Sequence, residues 1–448
     1  MTPAVSSSPP DTKLETAMTI TRRTALSGLA IGLTLAGLGR PAFAAEDVTL
    51  EVLYNLPGFT KFHQPLADEF MKNNPGIKIN FLAPAPGYNE GQQQVLRAAV
   101  TGNLPDVYFS GYNLTAELVH TLLPRQQITD LGPFIEAEGG KTFLDKNYSP
   151  KMAALGQIDG KQYGLPVNAS SPIIYINSEL VTKAGGDPDN MPKTFPGLIE
   201  LAAKIHALDP KIAGMGYDIN GWPDDWLWQA LIFEQGGTLV DPATKTVAFD
   251  NEIGLNALKM TRQFVTEGGQ TLLDWDQSRQ QFGAGLTGFI FSTPAHVQTI
   301  EGLVGERFEL KTATFPLDNA EKGGVPTGGN SAVILTQDKA RQDAAWKYLK
   351  WVTGPEAQNT IVRITGYLPT NQLATGPDFL EPYYAEHPNV KTASLQADRS
   401  MPWAGYPGGD SVRIWRTQRD IIGTVMRGEV TPEEGLKQIV EQTNALMK

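Results

Sequence analysis

Two hydrophobic periods take turns along the chain from Val48 to Phe109, and this alternation constrains the fold more than any other feature of the sequence. Val48, Leu50 and Val52 alternate with Thr49, Glu51 and Leu53 as in a strand, which Asn55-Leu56-Pro57-Gly58 ends. From Lys61 to Asn73 the apolar residues Phe62, Leu66, Phe70 and Met71 fall near helical spacing, and Asn73-Asn74-Pro75-Gly76 stops them. Ile77, Ile79 and Phe81 predict a second strand, Gly91 to Thr101 a second helix stopped by Gly102-Asn103, and Asp106 to Phe109 a third strand. Strands separated by helices must pair in parallel, with the helices covering the sheet. Sheets of this kind take ligands at the carboxyl ends of their strands.

The same grammar returns further on. Pro172 to Ile176 reads as a strand, Phe195 to Leu208 as a helix, Asp224 to Glu234 as a Trp-rich helix, and Gly254 to Glu267 as an amphipathic helix carrying Leu255, Leu258 and Phe264. Gly285 to Phe291 and Ala332 to Leu335 are predicted strands; Ala340 to Thr353 and Val412 to Met426 are predicted helices. The 448 residues suit two or three domains at about 100–200 residues each. No tandem repeat is visible, so the economical reading is two α/β lobes with several connections, and ligands favour the cleft between such lobes.

Composition removes several partners. With 37 Lys and Arg against 48 Asp and Glu the formal charge is −11, and no basic run exceeds two residues, so nucleic acid and anionic membrane surfaces are poor partners. The absence of cysteine excludes disulfides, thiolate metal sites and cysteine nucleophiles. His63, His120, His206, His296 and His387 are widely separated, and no metal or other cofactor is expected. There is no G-x-S-x-G elbow, P-loop or H-E-x-x-H, and Gly283-Ala284-Gly285 and Gly323-Gly324 are too short for a nucleotide loop. Asp224-Asp225 beside Trp222, Trp226 and Trp228 imitates a glycosidase carboxylate pair, which keeps an exported hydrolase as a rival reading; adjacent acids on a helix point apart, and helix capping accounts for them better.

At the other end, Ala25 to Leu38 is weakly polar, interrupted by Gly28, Gly32 and Gly37, and shorter than a membrane span of about 20 residues. Arg22-Arg23 precedes it, Pro41 follows, and Ala42-Phe43-Ala44 offers a signal-peptidase pattern, so residues 1–44 read as a cleavable export signal to the periplasm. Thr21-Arg22-Arg23-Thr24-Ala25-Leu26 is close to a twin-arginine signal except at Ala25; Met18 is an alternative start, and no Cys follows the cleavage site to carry a lipid.

Asn168-Ala169-Ser170-Ser171-Pro172, then Tyr175-Ile176-Asn177, Ala184-Gly185-Gly186-Asp187-Pro188 and Pro192-Lys193-Thr194-Phe195, resembles the family 1 extracellular solute-binding proteins of ABC importers, most nearly the glycerol-3-phosphate-binding members. Thr101-Gly102-Asn103 with Pro105, Thr365-Gly366-Tyr367-Leu368-Pro369 and the Val412-Arg413 helix follow in that family's order. The resemblance implies the α/β, two-lobed periplasmic binding protein fold of type II, with discontinuous lobes and hinge-bending closure. Residues 45–163 and 326–368 would form the N-terminal lobe, and 164–325 and 369–448 the C-terminal lobe. It implies a binding protein rather than an enzyme, a monomer that takes a small polyol or sugar derivative and hands it to membrane permease subunits.

Carried over position by position, the family's ligand contacts fall on Tyr88, Asn89, Ser170, Phe195, Thr293, Gly329, Tyr367 and Arg413, with Arg413 as the phosphate grip. Asn89 stands where the family has Glu, and its amide both donates and accepts; Phe195 replaces a Trp and loses an N–H donor; Thr293 replaces a Ser and keeps the hydroxyl. These departures widen the expected ligand from glycerol-3-phosphate to a glycerophosphodiester, another anionic sugar derivative, or a neutral sugar if Arg413 is merely paired with Asp410 or Asp420.

Overall fold

The computed structural model describes residues 47–408 and 410–447. The export signal expected over residues 1–44 lies outside the described residues. Among the described residues, no helix is long and apolar enough to cross a membrane.

The first strand β1 (Val48–Leu53) pairs in parallel with β2 (Ile77–Phe81), Val48 opposite Ile77 and Val52 opposite Phe81, and with β3 (Val107–Gly111) on its other side. The helices Thr60–Asn73 and Tyr88–Thr101 make the crossovers, so the right-handed βαβ rule places them against the sheet. A short hairpin, β4 (Gln157–Ile158) and β5 (Lys161–Gln162), leads into β6 (Gly164–Ser170). From there the chain crosses to a second sheet of four strands: β7 (Ile173–Asn177), β8 (Ala213–Gly216), β9 (Thr287–Ser292) and β10 (Leu310–Thr314), in the order β10-β7-β9-β8. β11 (Val325–Ile334) returns to the first sheet, antiparallel to both β3 and β6, and β12 (Ser400–Pro402) closes the sheet edge on β11.

Two expected lobe boundaries move. The change of lobe placed after residue 163 comes one strand later, because β6 pairs along β11 from Gly164 to Ser170. The crossing placed after residue 368 also comes later: Leu368 bonds back to Ala169, the segment from Leu380 to Ala393 packs on the core that includes Phe62 and Tyr348, and β12 still belongs to the first sheet. The chain leaves for good only after Pro402, to build the helices Ser411–Arg427 and Pro432–Leu446 against Glu252–Thr266.

The Trp-rich stretch is helical over Trp226–Phe233, and every residue in it is buried. Seven of its eight residues are apolar and the eighth, Gln229, is bonded inside to Asp225 and the Ala404 carbonyl, so the helix has no solvent face to present. It is wedged between the second core and β11, where Trp226 Nε1 donates to the Pro326 carbonyl at 3.1 Å.

Candidate functional site

Between the lobes lies a cleft of about 850 Å³, built where strands end. The first sheet contributes Leu56 to Phe59 and Lys61 beyond β1, Asn113 beyond β3, and Tyr88 and Asn89 at the start of a helix. The second sheet contributes Thr293, Ala295, His296 and Thr299 beyond β9, Trp222, Pro223, Asp224 and Trp226, and Trp275 and Arg279 from the helix Trp275–Gly283. Ser170, Gly328, Gly329 and Tyr367 line it where β6, β11 and the Gly366-Tyr367-Leu368 segment lie side by side, and Trp403, Trp415, Arg416 and Arg419 complete the wall.

Six of the residues singled out in the sequence meet here: Tyr88, Asn89, Ser170, Thr293, Gly329 and Tyr367. The Ser170 and Thr293 hydroxyls are 2.8 Å apart, one from each lobe, and Thr293 Oγ1 also accepts from the Ala295 N–H at the start of a helical turn. Gly329 has φ +121°, and a Cβ there would sit 2.1 Å from the Asn168 carbonyl oxygen, so only glycine lets β11 approach β6 this closely. Tyr367 packs edge-on against Phe59 at 5.9 Å, across the same floor.

Phe195 and Arg413 do not join them. Phe195 has no exposed surface; its ring is stacked on Phe291 at 5.6 Å and edge-on to Phe315 at 5.5 Å inside the second core. As the first residue of the helix Phe195–His206, it turns its ring inward while its N–H donates to Asp318 Oδ1. Arg413 is exposed and sits 3.8 Å from Asp410. On the helix Ser411–Arg427 the cleft-facing residues are Val412, Trp415, Arg416 and Arg419, one stripe at i, i+3, i+4 and i+7, from which Arg413 is rotated by about 100°.

Sequence reasoning missed most of the aromatic and cationic wall. Trp222 stacks on Trp226 at 5.7 Å and meets Trp275 edge-on at 5.7 Å; His296 stacks on Trp275 at 5.0 Å, and the Arg279 guanidinium lies 4.3 Å over the Trp275 ring. Trp403 meets Tyr88 edge-on at 6.2 Å. The spacing of Val412, Trp415, Arg416 and Arg419 was a readable signal; nothing local linked the four segments that carry the tryptophans.

The two neighbouring acids have different surroundings. Asp225 is buried, its oxygens accepting from Trp403 Nε1 at 2.8 Å and Gln229 Nε2 at 2.9 Å; desolvation raises its carboxyl to about 6 against those bonds. Asp224 keeps some surface in the cleft, and desolvation, followed by the charge of Asp225, raises it to about 7. Of the pair only Asp224 therefore lines this cleft, and the arrangement is unlike a pair of carboxylates flanking a glycosidic bond. Desolvation, then the charges of Arg279 and Lys61, push the His296 imidazole well below its usual range and keep it neutral. Such a wall offers rings, hydroxyls, an amide and cations to hold a molecule.

The sequence profile of the bacterial extracellular solute-binding protein family matches residues 55–359. The sn-glycerol-3-phosphate-binding periplasmic protein UgpB of Escherichia coli K12 is 25% identical, with 94% of this chain and 96% of that protein covered. Two solved structures share the fold: UgpB from Mycobacterium tuberculosis in complex with glycerophosphocholine (TM-score 0.75, 18% identity, 89% of this chain and 98% of that one), and the cyclic α-maltosyl-1,6-maltose binding protein from Arthrobacter globiformis (TM-score 0.75, 21% identity, 90% and 99%). Two sheets crossed several times by the chain, with a cleft between them, are thus the type II periplasmic binding protein fold, and with most of its length matched the chain belongs to the bacterial extracellular solute-binding protein family.

Proposed function

We propose that this chain is the receptor of an ABC importer, exported through its N-terminal signal, which closes on a small anionic polyol or sugar derivative and delivers it to the membrane permease. The observation that carries the ligand class is the charge of the cleft: Lys61, Arg279, Arg416 and Arg419 line it against Asp224 and Glu90, in a chain whose net charge is −11. A cationic cleft in an acidic protein draws anions to one place. Its volume and its tryptophans suit a glycerophosphodiester or a phosphorylated sugar better than glycerol-3-phosphate alone, which would leave much of the wall bare. Tyr88, Asn89, Ser170, Thr293, Gly329 and Tyr367 are assigned to the ligand's hydroxyls and apolar faces. Arg416 replaces Arg413 in the proposal because it lies on the cleft stripe of its helix.

Calorimetry with sn-glycerol 3-phosphate, glycerophosphocholine and maltose tests this. A phosphate-bearing ligand should bind and weaken with salt, and Arg416→Ala should cost about 1.5–3 kcal/mol while Arg413→Ala costs almost nothing. Binding of maltose alone would instead favour a neutral sugar, the reading to which the stacked Trp222 and Trp226 lend support.

A further inference from the structure

Arg279 is a charged cleft residue whose hydrogen bonding is incomplete among the described residues. Its side chain is about nine-tenths buried, yet among the described residues only Nη2 has a hydrogen-bond partner, the exposed Asp276. Its Nε is fully buried and has no acceptor among the described residues. Buried N–H groups of a guanidinium are normally satisfied, and the described residues supply no acceptor to this one. Asp218, buried nearby, is raised to about 7 by desolvation, against which Ser278 and the charge of Arg279 lower it.

Two further groups share this end of the cleft. His296 is stacked on the same Trp275 ring, with Nδ1 3.1 Å from Ser292 Oγ, and it is neutral, so it adds no third positive charge. Lys61 comes from the other lobe, lines the same cleft, and has no carboxylate partner among the described residues. The proximity of Lys61 is felt at His296 together with that of Arg279.

We propose that Arg279 and Lys61, beside His296, form an anion subsite assembled from both lobes, in which a phosphate or carboxylate of the ligand is the counter-ion that lets the lobes close. Like charges carried on opposing lobes resist approach until an anion lies between them, and the same anion supplies the acceptor that Arg279 lacks. A neutral solute makes neither gain. The subsite rests on the anionic-ligand reading above, and it adds a site remote in sequence from Arg416.

The test is titration of wild type, Lys61→Met, Arg279→Gln and Arg416→Ala with sn-glycerol 3-phosphate, glycerophosphocholine and maltose, at low and near-physiological salt. Lys61→Met and Arg279→Gln should each weaken the phosphate-bearing ligand about tenfold and flatten its salt dependence, with any maltose binding unchanged. Lys61 is exposed, so its variant reports even if Arg279→Gln fails to fold. Unchanged affinity and salt dependence in Lys61→Met, with loss in Arg416→Ala, would overturn the subsite and leave the anionic reading standing. A wild-type protein that binds neither phosphate compound would overturn the anionic reading and the subsite together.

Discussion

Two buried rings show how residue type and burial decide a role. Phe195 is expected at a ligand contact only from the family resemblance, yet its ring contacts are Phe291, Phe315, Tyr217 and Phe264. Phe195→Ala should therefore cost about 3–5 kcal/mol in urea unfolding and leave ligand affinity in the folded fraction unchanged. A sequence match could place the residue in the chain but could not tell which way the first turn of its helix would point it. His63 is the converse: its ring centre sits 4.2 Å from that of Tyr54, 4.4 Å from Phe62 and 4.6 Å from Phe109, and neither nitrogen has a hydrogen-bond partner among the described residues. Burial lowers its pKa from 6.5 to about 3. The folded chain thus refuses a proton that the unfolded chain accepts, so this contribution to stability is full above pH 6.5 and is lost as pH falls from there towards 3. Between pH 7 and about 4.5 the loss assigned to His63 should be about 2–3 kcal/mol, read as the difference between wild type and His63→Phe in urea titrations at each pH. A His63→Phe variant with the same pH slope as wild type would remove His63 from the acid response.

Legibility at the scale of the element followed hydrophobic period. β1 is read residue for residue because Val48, Leu50 and Val52 alternate, and the helix Thr60–Asn73 because Phe62, Leu66 and Phe70 repeat at helical spacing between turn signals. β6 and the first half of β11 carry Gly164, Pro166, Pro326, Gly328 and Gly329, residues that ordinarily break strands, and so escape such a reading. Their cause is tertiary: both strands are buried along their whole length, and glycine is needed where backbones touch or a ring lies close. A Cβ on Gly328 would meet the Trp226 indole at 3.1 Å, and one on Gly329 would clash with the Asn168 carbonyl. Gly329→Ala combines that clash with a positive φ and should cost about 2 kcal/mol or more in urea unfolding, with weakened binding because the cleft floor must shift. Gly302→Ala, which meets nothing within 4 Å and lies outside the cleft, is the control and should be neutral or slightly stabilising with binding unchanged. The helix Ser411–Arg427 teaches the same lesson about the site: its cleft stripe was visible as a spacing, whereas the partners of that stripe, Trp222, Trp275 and Trp403, come from segments joined only by the fold.

Across the whole molecule, the two lobes are separate as sheets and continuous as packing. Phe62, Phe109 and Tyr348 of the first lobe share one buried cluster with Ile173, Tyr175, Ile290, Val297 and Ile300 of the second. The Ser170 and Thr293 hydroxyls meet across the lobes at 2.8 Å, and Gly366 packs so closely on Pro294 that a Cβ would come within 2.5 Å of its oxygen. The chain passes between sheets at Ser171-Pro172, between β10 and β11, and after Pro402, so neither lobe can unravel without pulling on strands of the other. Shared packing of this extent couples the unfolding of both lobes, and calorimetric heating should give one transition whose van't Hoff and calorimetric enthalpies agree. Two resolved transitions would mean that the packing across the crossings is weaker than the sheets it joins. A ligand held by both lobes binds only when both are folded, so at a free concentration of about 100 times Kd it should raise the stability of that single transition by about 2.7 kcal/mol. Were the ligand held by one lobe alone, its stabilisation would fall on one of two separable steps, and the cleft would serve as a pocket on one lobe instead of a clasp between two.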